Sequence, residues 1–309
     1  MSVFLEPRCR LFSEHLAFNA TEQFEKHAIV TFLESIGAAF GPCQNAYTSA
    51  DETVYELLVP IDKEDTLRRA LSVLSEWACR TRCSPADLAK ERGAVLEEWR
   101  QGRDARGRAF EAAWRTIYGG CRYADRLPIG TEAVIRGCSA ESVRRFYTKW
   151  YRPQHMAVVA VGDFAACGGR PAVVAALREV FSAVAPPADA PWPAPVPPTA
   201  EFVAHAQPRY LAYSERQLTD STVAVSWTHP ASPLACAADF ARTLAEDLFC
   251  SCLNQRLFRI ARRREPPFYS ASVSVDSPLR AVTMRAPVSQ GRTPCRRGHL
   301  QPSPNTVQP

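Results

Sequence analysis

Leu11-Phe12-Ser13-Glu14-His15 and, far along the chain, Glu91-Arg92-Gly93-Ala94-Val95-Leu96-Glu97-Glu98 are the two stretches on which the fold and chemistry of this sequence turn. A Glu-His dipeptide on a helix is ordinarily a solvated surface pair. Glu91 and Glu98 fall two turns apart on one helical face with Ala94 and Val95 between them, and two carboxylates around an apolar stripe ordinarily flank a core. Taken alone, neither stretch says more than helix.

The sequence around them supplies the frame. Ser84-Pro85-Ala86-Asp87 starts the helix that carries Glu91 and Glu98: serine caps, proline fits the first turn and aspartate returns the capping bond. Before it, Leu67, Leu71, Leu74 and Ala78 form one helical stripe. Residues 45 to 60 alternate loosely and end in TVYELLVP, which predicts a strand closed by Pro60. Ile29, Phe32, Leu33 and Ile36 recur at helical spacing after Thr21, with Gly37 as the stop. Downstream, Ser139 opens a helix through Trp150, the apolar run MAVVAVGDF from Met156 to Phe164 suits a buried strand, and a helix is expected from Pro171 to Val184.

Between Ala185 and Ala200 the stretch APPADAPWPAPVPPTA holds seven prolines and predicts an extended linker. Beyond it come a strand-like TVAVSWTHP, a long helix from about Pro233 to Arg264 and a strand-like FYSASVSV from Phe268. From about Pro287 the sequence has no hydrophobic period, which predicts disorder. Strands and helices mix without a regular βαβ alternation or a Gly-rich phosphate loop. The expected fold class is α+β.

Composition narrows the functions. The 309 residues are 46% hydrophobic and 22% charged, as in a globular protein of about two domains. Met156 to Val161, the longest apolar stretch of note, is far shorter than the ~20 residues of a membrane span. Eleven cysteines, odd in number and without a C-x-x-C pair, argue against a disulfide framework and for an intracellular, reducing compartment, with the organelle unreadable. Cys250 and Cys252 would point to different helix faces and read as core residues. A net charge of +5 and the triplet Arg262-Arg263-Arg264 give little support to nucleic-acid binding, because arginines at a helix C-terminus complement its dipole.

Several blocks taken together resemble the inverted-zincin metallopeptidases, the insulinase–pitrilysin family. They are HLAFNAT from His15, FLESIGAAFG from Phe32, QNAYTSADETVYELLVP from Gln44, ERGAVLEEWR from Glu91, RLPIG from Arg126 and FYTKWYRPQHMAVVAVGDF from Phe146. The resemblance covers roughly residues 11 to 280 and is nearest to large plant-type members described as probable zinc proteases. It implies a zinc-dependent metalloendopeptidase with two tandem domains, each a mostly antiparallel sheet packed on helices. A peptidase-like domain is expected at 1–184, a linker at 185–200, a partial second domain at 201–286 and a tail at 287–309. Since the resemblance lapses before residue 11 and after about 287, a family member incomplete at both ends is expected.

The family motif His-x-x-Glu-His sets two histidines at i and i+4, where both reach one zinc. By that resemblance His15 is the second histidine ligand, Glu98 the distant third ligand and Glu14 the general base, while Glu91 supports a ligand histidine. Asn45, Ala46, Tyr47 and Thr48 match an edge strand that pairs with the backbone of a peptide or unfolded polypeptide substrate. One departure stands out: Leu11 replaces the first ligand histidine, so only two of the usual three protein ligands remain. Cys9 and His27 are unconvincing replacements. The alternative is a catalytically inactive family member acting as a partner subunit or scaffold, and active members also close a second half over the substrate.

Overall fold

The computed structural model describes residues 10–25, 28–38, 41–61, 64–182, 205–230, 234–279, 282–291 and 306–307. They form two compact units, one from the described parts of 10–101 and 126–182, the other from 102–125 and the described residues after 204. The expected linker at 185–200 lies outside the described residues, as do Cys9 and His27.

In the first unit, helix α1 (Arg10–Asn19) buries Leu11, Phe12, Leu16 and Ala17. Helix α2 (Ala28–Ser35) buries Ile29, Phe32 and Leu33, and Gly37 follows with φ 82°, a left-handed conformation that ends a helix and suits glycine. The expected single strand over 45–60 is a hairpin instead. Strand β1 (Gln44–Thr48) pairs antiparallel with β2 (Thr53–Leu57), from Gln44 opposite Leu57 to Thr48 opposite Thr53. Ser49 makes the turn, its hydroxyl accepting from the Asp51 and Glu52 amides.

Helices α3 (Glu64–Cys79) and α4 (Pro85–Gln101) follow as expected. Ser84 caps α4 through the Asp87 amide at 3.1 Å. Asp87 does not return the bond to backbone but accepts the Ser84 hydroxyl at 2.5 Å. Trp77 of α3, fully buried, packs its ring 4.9 Å from Phe18 and 5.7 Å from Tyr55, joining α1, α3 and the hairpin. Burying each side chain of this size contributes ~2–3 kcal/mol. Helices α6 (Glu132–Gly137), α7 (Ala140–Trp150) and α8 (Gly169–Ser182) complete the unit, α6 and α7 being capped by Thr131 and Ser139.

Met156 to Phe164 departs from expectation. No strand is formed there, and Val159 and Val161 are 82% and 91% exposed rather than buried. An apolar run becomes a buried strand only where another strand takes its backbone bonds and a layer covers its face. Among the described residues β1 and β2 pair with each other alone, and no strand pairs with this segment.

The second unit opens with α5 (Ala105–Ile117), capped by Asp104. Strands β3 (Ala212–Tyr213), β4 (Ser221–Ala224) and β5 (Trp227–Pro230) precede helix α9 (Ala237–Ala261), and the expected strand TVAVSWTHP is thus broken in two. Strand β6 (Ser270–Leu279) and β7 (Val282–Gly291) form a hairpin. β7 also pairs antiparallel with β4 and β5, while β3 pairs parallel with β8 (Thr306–Val307). Pairing continues through Gly291, beyond the expected limit near 287. Pro287 is compatible with it because Val273, opposite, directs its N–H and C=O to the Asn254 carboxamide at 2.8 and 2.9 Å rather than to β7. Cys250 is buried and Cys252 exposed, so they occupy different faces of α9, and only Cys250 is the core residue expected of both. The architecture is α+β, with mostly antiparallel sheets and helices packed on them.

Candidate metal and peptide site

The candidate site lies in the first unit, where α1 crosses α4 beside the hairpin. Leu11, Phe12 and Leu16 share a core with Leu88 and Val95 of α4, which fixes α1 against α4. The polar side chains Glu14 and His15 flank that apolar contact. Arg10 ties the same helix to the hairpin turn, its guanidinium donating to the carbonyls of Ser49 and Ala50.

His15 bridges two carboxylates. Its Nδ1 stands 3.4 Å from Glu91 Oε2 and its Nε2 stands 3.4 Å from Glu98 Oε2. The two-turn separation of Glu91 and Glu98 along α4 accounts for this, since one imidazole has two nitrogens on opposite sides of its ring and reaches both. Burial by itself would lower the imidazole pKa, but hydrogen bonds to Glu91 and Glu98 outweigh it and hold the pKa up at about 9.

Glu14 points toward the hairpin. Its Oε2 accepts the hydroxyl of Thr48, and Thr48 Oγ1 lies 3.0 Å from Thr53 Oγ1. Burial raises the Glu14 carboxyl above its ordinary pKa, against the Thr48 hydrogen bond, which lowers it. Behind the carboxylate, Tyr55 and Tyr151 join hydroxyls at 3.0 Å.

Along β1, Asn45 and Tyr47 are exposed, whereas Ala46 and Thr48 are half-buried. Glu14, His15, Glu91, Glu98 and Thr48 thus come together. Asn45, Ala46 and Tyr47 extend from them along a strand that pairs on one side only among the described residues. Thr53, Tyr55 and Tyr151 were not singled out from the sequence. Their partnership with Glu14 and Thr48 depends on the hairpin register, which a loosely alternating stretch does not specify.

Two ligands of one tetrahedral zinc stand about 3.4 Å apart, given Zn–N and Zn–O lengths near 2.1 Å. His15 Nε2 and Glu98 Oε2 match that spacing. The third position does not fit: Leu11, one turn before His15 on α1, is a buried hydrocarbon side chain without a donor atom. Among the described residues no group of three or more His, Cys, Asp or Glu side chains is arranged to hold a metal ion. The donor set therefore falls one ligand short of a catalytic zinc.

Known proteins match the chain over most of its length. Residues 11–119 match the family model for insulinase, peptidase family M16, and residues 137–294 match the peptidase M16 inactive domain. The zinc protease PQQL-like of Arabidopsis thaliana is 46% identical over 267 residues, covering 85% of this chain and 27% of that protein. The probable zinc protease PqqL of Escherichia coli is 35% identical over 152 residues, 49% of this chain and 16% of that protein. In three dimensions the periplasmic protease PqqL from Escherichia coli superposes with a TM-score of 0.75 at 23% identity, over 93% of this chain and 31% of that one, which establishes a common fold. The chain spans about a quarter of the length of the Arabidopsis relative.

Proposed function

Since the chain belongs to the insulinase (M16) family of zinc metallopeptidases, we propose that it carries the catalytic-side elements of a zinc-dependent metalloendopeptidase with one metal ligand missing. In this reading His15 and Glu98 are the surviving ligands, Glu91 orients His15, Glu14 is the general base, and the Asn45–Thr48 strand holds an extended peptide by its backbone. The observation that carries it is the meeting of Glu14, His15, Glu91 and Glu98 from two helices far apart in sequence. A structural ion pair would need one carboxylate for His15. Two of them, one on each ring nitrogen with Glu98 at ligand spacing from Nε2, beside the buried carboxylate of Glu14, suit a metal site.

What the chain's own residues would do is limited. Glu14 holds a proton acceptor beside β1, Glu91 fixes the ring of His15, and β1 offers backbone groups along the side that is unpaired among the described residues. With Leu11 at the third ligand position the set does not fit a catalytic zinc, and no hydrolytic step is assigned to the chain as it stands. The domain bounds 1–184, 185–200, 201–286 and 287–309 and a reducing compartment belong to the same proposal, with β7 running past the third bound to Gly291. The nine described cysteines, all free thiols, are compatible with such a compartment.

A second reading, an inactive member serving as partner subunit or scaffold, is favoured by one observation: Leu11 is part of the core that joins α1 to α4. Cleavage of an internally quenched peptide separates the two. The expected result is little or no zinc-dependent cleavage by the native chain, a gain in Leu11→His, and its loss in Leu11→His/Glu14→Gln. A Leu11→His chain as inert as the native one would leave the scaffold reading standing.

A further inference from the structure

We propose that Thr48 is a positioning residue whose hydroxyl orients the Glu14 carboxylate and ties it to strand β1. The inference rests on the reading of Glu14 as the base of the hydrolytic site.

The hydrogen-bond directions follow from elementary inventory. An ionised carboxylate only accepts, so the bond between Thr48 and Glu14 uses the single hydroxyl proton of Thr48. The 3.0 Å contact between Thr48 and Thr53 must then run the other way, with Thr53 donating. The result is an ordered chain, Thr53 to Thr48 to Glu14, set by the cross-strand register that puts the two threonines opposite each other. Glu14 has three rotatable side-chain torsions. An acceptor bond fixed at Oε2 selects one orientation and leaves Oε1 as the oxygen able to take a proton.

Thr48 is also the last residue of β1, the strand proposed to carry the substrate backbone. Its neighbours alternate: Asn45 and Tyr47 face solvent, while Ala46 and Thr48 turn inward. One hydroxyl therefore connects the strand proposed to hold the peptide to the carboxylate proposed as general base. A simple contact with substrate is a poorer account of Thr48, because its only hydroxyl proton is already committed to Glu14.

The test uses the full chain with glutamate labelled by 13C at the side-chain carboxyl, at one fixed pH. The Glu14 resonance is assigned by its loss in Glu14→Gln. Thr48→Val, nearly isosteric, is expected to move that resonance, and Thr48→Ser to return it, with amide spectra of all three native-like. An unmoved resonance in Thr48→Val overturns the proposal, as does failure of Thr48→Ser to restore it. A kinetic arm adds Thr48→Val to zinc-loaded Leu11→His. There kcat is expected to fall about 10- to 100-fold with KM little changed, and a rise in KM at constant kcat would contradict positioning. If Leu11→His cleaves nothing, the hydrolytic reading fails, while the resonance arm still decides whether Thr48 holds Glu14.

Discussion

Leu11 and His15 stand one turn apart on the same helix, yet Leu11 belongs to the core that seats α1 on α4 while His15 bridges Glu91 and Glu98 beside it. In the proposed reading a ligand position has become a packing position. Leu11→His without zinc should be destabilised by about 1–3 kcal/mol, because a polar ring replaces a buried aliphatic side chain. Zinc should recover that loss by binding the folded state. Thermal unfolding of native and variant chains, each with and without zinc, checks both parts. Stabilisation of the native chain by zinc as large as that of the variant would contradict them.

His15 also sets a pH dependence. Its folded-state pKa of about 9 lies above its ordinary 6.5, so the folded state binds its proton more tightly than the unfolded state. The stabilisation is complete below about pH 6.5, declines as pH rises and is lost above about pH 9. Melting temperature measured from pH 6 to 10 should fall across this window in the native chain. His15→Gln should flatten that part of the profile, and an unchanged slope would show that other groups carry it.

The exposed segment Met156–Phe164 gives an opposite expectation from the one its sequence suggests. Val159→Lys should change stability by no more than about 0.5 kcal/mol, since Val159 is 82% exposed. Chemical denaturation measures it. A loss of several kcal/mol would mean that this valine is buried in solution.

Gly93 sits inside α4, where an added Cβ would meet nothing within 4 Å. Gly93→Ala should therefore stabilise the chain by about 0.5–1 kcal/mol through helix propensity alone. A destabilisation in the same denaturation assay would mean that this face of α4 is covered.

Legibility in the sequence followed the kind of physics involved. Helices with a clear apolar stripe or a capping residue, such as α3, α4 and α7, were readable because their signals are local. Ser84 and Ser139 cap in the structure as read from the sequence. The hairpin was compressed into one strand because its turn, Ser49 to Glu52, lacks the glycine or proline that marks most turns. Met156 to Phe164 misled because apolar composition reports what a segment could bury, not whether a partner strand is there to bury it. At the site, Glu14, His15, Glu91 and Glu98 were identified by resemblance to a family. Thr48 was matched to the substrate strand the same way, but its bond to Glu14 needed coordinates.

Zinc content per chain, measured by elemental analysis after dialysis, bears most directly on the claim that His15 and Glu98 are two thirds of a metal centre. The native chain should hold well under one zinc, Leu11→His close to one, and Leu11→His/Glu98→Gln should lose most of that gain. One zinc per native chain, or no gain in Leu11→His, would contradict the claim.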